Sequence, residues 1–148
     1  MVNSCAFVGG DVKLERATGY RVTMPQQWSQ TGSGEGDSAY RLPSGNVVTL
    51  TSSCNRDQKA PLDILTRHLL FGTRSVSVKE RKSATFGTNT GLLSRVSAQL
   101  EKKPFDLELF VLSKGNCVFD FSLLSPKQIS EKDSDSFHTF IGSFQYGN

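Results

Sequence analysis

The feature that most constrains this chain is a run of period-two alternation that continues from Ser75 to Pro126 with only turn residues to interrupt it. Four segments make it up: SVSVKERKSATFG, NTGLLSRVSAQLEKK, PFDLELFVLS and CVFDFSLLSP. In the first, apolar side chains recur through Val76, Val78, Ala84 and Phe86, and in the second through Leu92, Val96, Ala98 and Leu100. The third puts Phe105, Leu107, Leu109 and Val111 on one face, and the fourth puts Cys117, Phe119, Phe121 and Leu123 together. A period of two sends successive side chains to opposite faces, which is the signature of strands and excludes an amphipathic helix. Gly87, Asn89 and Gly91 are turn residues before or at the start of the second segment. Lys114-Gly115-Asn116 is short enough to make the third and fourth an antiparallel hairpin.

The flanking sequence adds strands and two helices. GYRVTMP alternates through Tyr20, Val22 and Met24 until Pro25 ends it, and reads as a first strand. The Gly- and Ser-rich QQWSQTGSGEGDS that follows has no period and reads as a loop. AYRLPSG reads as a short strand and turn leading into NVVTLTSSC, where Val48, Leu50, Ser52 and Cys54 share a face. In PLDILTRHLLFG, Pro61 suits a first helical position, Asp63 complements the dipole, Leu62, Leu65 and Leu69 recur at helical spacing, and Gly72 stops the run. At the other end Phe137, Phe140, Ile141 and Phe144 form one apolar stripe, with Asp133 or Ser134 as its N-cap. Gly142 inside that helix implies close packing on the sheet.

The expected fold class is therefore α+β, an antiparallel sheet of about six or seven strands with helices packed on its face. A length of 148 residues fits one domain, expected over residues 19–148 with a flexible tether over 1–18. The 17 basic side chains leave a net charge of only +3, and the densest run, Lys79 to Lys82, contains Glu80. A nucleic-acid module needs a basic stripe interleaved with aromatics, and none is present. No apolar stretch reaches the roughly 18 residues that would span a bilayer.

The three cysteines speak about compartment. Val2-Asn3-Ser4-Cys5 is like the end of a bacterial lipobox, with an aliphatic residue three before the cysteine and a small one directly before it. On that reading Cys5 is the lipid-attachment residue and Met1 stands where a signal was removed; with Met1 as the native start the protein is cytoplasmic. Cys54 and Cys117 both fall on apolar strand faces and point inward, so either a disulfide or two buried thiols fits them. Their spacing matches no zinc motif.

The order of elements, the Pro-x-x-Trp of GYRVTMPQQW and the closing DSFHTFIGSF resemble the PsbP-like fold, over roughly Gly19 to Tyr146. That fold is known from extrinsic photosystem proteins, from a nuclear factor that binds a small GTPase, and from short bacterial lipoproteins. The resemblance implies a PsbP-like α/β/α sandwich and a binding or assembly factor without a cofactor. A lipid-anchored monomer on the periplasmic side of the envelope, acting on another envelope protein, is the corresponding expectation. Membrane contact would be through the lipid alone, and no photosystem role is carried over.

No catalytic constellation is visible. There is no G-x-S-x-G elbow, and Gly32-Ser33-Gly34-Glu35-Gly36 lacks the lysine and helix of a phosphate loop. His68 reads as a boundary residue of its helix, and His138 lies off the apolar stripe and is expected to face solvent. The expectation is a non-enzyme. Trp28 at the brink of the loop, with Arg56 and Asp57, is the candidate partner contact, although the tryptophan equally suits a plug for the core. The alternative function is a small-ligand binder with a pocket between sheet and helix, for which Asp120 and Arg95 are the candidates.

Overall fold

A computed structural model describes residues 16–31, 38–54 and 74–147. Seven strands form one antiparallel sheet: β1 (Ser29–Thr31), β2 (Ser38–Arg41), β3 (Val47–Cys54), β4 (Arg74–Phe86), β5 (Asn89–Leu100), β6 (Lys103–Lys114) and β7 (Cys117–Ser125). Their order across the sheet is β1-β2-β3-β7-β6-β5-β4. Among the described residues one helix, α1 (Glu131–Gly142), packs on one face. The helix expected from Pro61 to Gly72 lies outside the described residues.

The long alternating run becomes the meander β4–β7, closed by two-residue turns. Gly87 (φ 64°) and Gly115 (φ 62°) take the left-handed first position of the turns before β5 and β7. Between β5 and β6 both Glu101 (φ 53°) and Lys102 (φ 69°) are left-handed, a geometry that normally selects Asn-Gly. Leu109, Phe110, Val111 and Leu112 in β6 are all buried, so this strand is covered on both faces. The helix-facing set is Glu108, Phe110 and Leu112, while Leu109 joins Val96 and Ala98 in a small cluster on the opposite face.

Two expectations about strands need correction. In β4, register shifts interrupt the pairing between Arg74 and Ser77 and again between Val78 and Glu80. Val78 pairs with Val96, on the face away from α1, whereas Ala84 pairs with Gly91 and Phe86 with Asn89 on the helix side. The shift reverses the parity, so the valines and the later apolar residues do not share a face. The Gly19–Pro25 segment is not a strand of the sheet. It forms a single bridge, Arg21 with Gln145, through paired backbone bonds of 2.8 and 2.9 Å. Its alternation reports burial in part: Tyr20 and Val22 pack on the core, whereas Met24 is 42% exposed.

Helix α1 begins at Ser130, whose Oγ accepts from the Asp133 backbone N–H at 3.1 Å, so neither Asp133 nor Ser134 is the cap. Asp133 is buried and accepts from Ser44 Oγ (2.6 Å) and Asn46 Nδ2 (2.7 Å), tying the first helical turn to the β2–β3 connection. The stripe Phe137, Phe140, Ile141 and Phe144 is fully buried against Phe110, Phe119 and Phe121. At the far end Asn89 Nδ2 donates to the carbonyls of Ile141 (2.9 Å) and Phe144 (3.0 Å). A Cβ on Gly87 would stand 2.5 Å from the Gly142 carbonyl oxygen, so the hairpin turn and the helix end meet where both lack side chains.

Cys54 and Cys117 face each other across β3 and β7 and form a disulfide. The Tyr146 hydroxyl lies 3.4 Å from Cys117 Sγ. Ala17, ahead of the expected domain boundary, is buried and its N–H donates to Ser52 Oγ at 2.8 Å.

Candidate functional site

Among the described residues the densest group of ionisable side chains joins α1 to β4, β5 and β6. Residues 134 and 138 are one helical turn apart and share a face. That face lies over Glu108, which alternation in β6 aims at the helix beside Phe110 and Leu112. The Glu108 side chain is 2% exposed. Ser134 Oγ donates to its Oε1 at 2.9 Å, and His138 Nε2 makes a short bond to its Oε2. Arg95, opposite Glu108 in the β5–β6 register, brings its Nε to 3.9 Å from Oε2 and donates from Nη2 to Ser134 Oγ at 3.4 Å. Glu80, opposite Arg95, places Oε1 3.5 Å from the same Nε, and Lys82 closes the series at 3.0 Å from Glu80. The ammonium of Lys82 bonded to Glu80 holds that carboxyl below its ordinary value, with Arg95 adding to the effect. Phe86 stacks on the His138 ring at 4.3 Å and meets Phe110 edge-on, which shields one side of the seam from water.

The order of groups decides what this seam can do. Nucleophilic catalysis needs an imidazole on the serine and a carboxylate behind the imidazole. Here the carboxylate stands in the middle, bonded to Ser134 on one oxygen and to His138 on the other. Neither group is placed to take a proton from the other. The chemistry available is instead anchoring, because a buried carboxylate must be partnered and its partners come from the helix and a neighbouring strand. The outer part, where Arg95 is 46% exposed beside Glu80 and Lys82, presents mixed charge to solvent.

The sequence candidates are dispersed. Asp120 and Arg95 do not meet: Asp120 pairs with Thr51 and Val111 on the face away from α1, while Arg95 is on the helix side two strands away. A pocket built on that pair is therefore ruled out. Trp28 is 6% exposed, with its ring 5.2 Å from Phe140 and 6.0 Å from Tyr40, so it plugs the core and offers a partner almost nothing. His138 does not face solvent; its side chain is 20% exposed and bound to Glu108. Cys5, Arg56, Asp57 and His68 lie outside the described residues. Glu108 and Ser134 are members of this cluster that sequence reading missed. The signal was there: Glu108 shares parity with Phe110 and Leu112 inside LELFVL, and an acidic residue at that parity can only be buried if something pairs with it.

The sheet order, with α1 laid on the meander, defines a PsbP-like fold, and comparison with solved structures bears this out. Cyanobacterial PsbP (CyanoP) from Synechocystis sp. PCC 6803 superposes with a TM-score of 0.59 at 14% identity, covering 89% of this chain and 91% of that one. LpqN, involved in cell envelope biogenesis of Mycobacterium tuberculosis, gives 0.61 at 11% identity over 95% of this chain and 94% of that one. A protein from Bacteroides thetaiotaomicron VPI-5482 gives 0.63 at 16% identity over 87% of this chain, which spans 45% of that longer molecule. No family profile and no curated protein sequence matches this chain. At these identities the likeness is one of fold.

Proposed function

We propose that this chain is a non-catalytic accessory domain of the bacterial cell envelope, held at the membrane by a lipid on Cys5 and acting by binding another envelope protein. The observation that carries this reading is the Cys54–Cys117 disulfide, because such bridges form and persist in oxidising compartments outside the cytoplasm. The PsbP-like fold supports it, as does the use of His138, Ser134 and Glu108 on one another. LpqN, with the same fold, is itself described as involved in envelope biogenesis.

The test is the intact mass of the product of the native gene, recovered from the membrane fraction and measured with and without reduction and alkylation. The reading expects a chain starting at Cys5 with a lipid-sized excess, and two further cysteines that alkylate only after reduction. It also expects a protein retained reproducibly when the anchored domain is purified from its membrane. A mass starting at Met1 with all thiols free sinks the location, and an anchored domain that retains nothing sinks the accessory role.

A further inference from the structure

Strand β4 ends the sheet among the described residues and, at 13 residues, is longer than most strands. Its first half is irregular, with register shifts on either side of Ser77–Val78, but from Glu80 to Phe86 it pairs with β5 residue for residue. Phe86 and Asn89 flank a two-residue turn, so they form a hydrogen-bonded pair, and the pairing alternates from there. Ala84, Lys82 and Glu80 therefore direct their backbone groups at β5, while Thr85, Ser83 and Arg81 direct theirs away from the sheet. Thr85 Oγ1 and Thr90 Oγ1, 2.8 Å apart, fit the closer side-chain approach of a non-hydrogen-bonded pair. The outward row is a template for one more strand.

Charge selects the strand that fits. Lys79, Arg81 and Lys82 surround Glu80, which Lys82 and Arg95 already engage. A second copy laid antiparallel about Arg81 would oppose the two arginines, and about Ser83 would leave every cation without an opposite charge. A carboxylate-bearing strand would set each cation against an opposite charge. A second observation points the same way. Arg81 Nε is covered and has no hydrogen-bond partner, and Ser94 Oγ on the residue paired with it has none either. A carboxylate reaching Arg81 would supply the acceptor its guanidinium Nε lacks, whereas the Ser94 hydroxyl is buried one strand inward and takes no part.

We propose that the Glu80–Phe86 edge of β4 binds an extended acidic segment of a partner protein by strand addition, with Arg81 taking a carboxylate of that segment. The inference rests on the protein-binding reading above and gives it a surface and a partner chemistry. It is tested on the isotope-labelled full chain titrated with a short, end-blocked peptide alternating threonine and glutamate, with amide exchange followed residue by residue. The Arg81, Ser83 and Thr85 amides should exchange freely in the free chain and gain at least about tenfold protection on binding, while Lys82 and Ala84 are protected throughout. Ser83→Pro deletes an outward N–H and no β4–β5 bond, so it should keep the melting temperature and weaken peptide binding by at least about tenfold. Arg81→Gln should weaken binding of the glutamate peptide and leave a glutamine counterpart unaffected.

Equal binding of a lysine-for-glutamate peptide, or wild-type affinity in Ser83→Pro, overturns the proposal. So does a free chain that dimerises and becomes monomeric in Ser83→Pro, since the edge then belongs to a second copy. If wild type and Ser83→Pro retain the same envelope protein equally, the β4 edge fails and the accessory reading stands. If neither retains one, the accessory reading fails while the peptide titration still decides the edge.

Discussion

Opening the Cys54–Cys117 bridge should remove a large part of this domain's stability, and the size follows from where the bridge sits. The two residues are 63 apart in sequence and adjacent in space, at the end of β3 and the start of β7. Closing a loop of that length removes about 14 cal/mol/K from the unfolded chain in the loop-entropy treatment, or about 4 kcal/mol at room temperature. Against a typical net stability of about 5–15 kcal/mol that is a substantial fraction. For a chain of this size it corresponds to a melting shift of about 10–15 °C. Urea unfolding of the oxidised protein, the reduced protein and Cys54→Ala/Cys117→Ala would separate the contributions. The reduced protein keeps both buried sulfurs and reports the loop alone, while the alanine pair adds about 1 kcal/mol for each sulfur removed. Reduction should also steepen the denaturant dependence, because the freed chain exposes more surface when unfolded. A reduced protein within about 1 kcal/mol of the oxidised one would refute the loop argument.

Three further outcomes follow from the geometry. His138→Leu should cost about 3 kcal/mol by removing one partner of the buried Glu108 carboxylate, and adding Glu108→Leu should recover most of it; a urea titration in which the double variant is worse than the single one defeats the anchoring account. Lys102→Gly should raise the urea midpoint by about 0.5–1 kcal/mol equivalent without changing the slope, since the left-handed strain removed exceeds the entropy glycine adds; an unchanged or lower midpoint contradicts the turn geometry. Lys82→Met should let the Glu80 carboxyl titrate higher, nearer its ordinary value, followed by carbon-detected NMR. Because the folded value is depressed, Glu80's contribution is present above its unfolded value and lost as pH falls through the folded one, so wild type and variant should converge in acid.

Much of the meander was legible because its signals are local. Two-residue turns at Gly87 and Gly115 and the stripe from Phe137 to Phe144 each lie within a few residues of one another. What was not legible depends on partners distant in the chain. The parity change at Val78 needs one extra residue in β4 that only the opposing strand reveals. Alternation in Gly19–Pro25 finds Tyr20 and Val22 inward but not Met24, which is exposed, and the partner is Gln145, more than a hundred residues on, and not another strand. In β6 the conspicuous face of Phe105, Leu107 and Leu109 is the smaller cluster, whereas Glu108 marks the helix side. A lone acidic residue in an apolar run suggests solvent until its serine and histidine, a helical turn apart and far along the chain, are brought over it.

The Asn89 side chain that holds the last carbonyls of α1 has a consequence for the order of folding. The β4–β7 hairpins can form early, since each joins neighbours in sequence. The seam between β3 and β7 waits for β7, and the helix with its Asn89 clasp waits for the stretch through Phe144. Until that stretch is free, the aromatic interior has no lid and the domain has no closed native state. A domain built this way completes its core last at the segment through Phe144, long after the hairpins that this segment covers have been made.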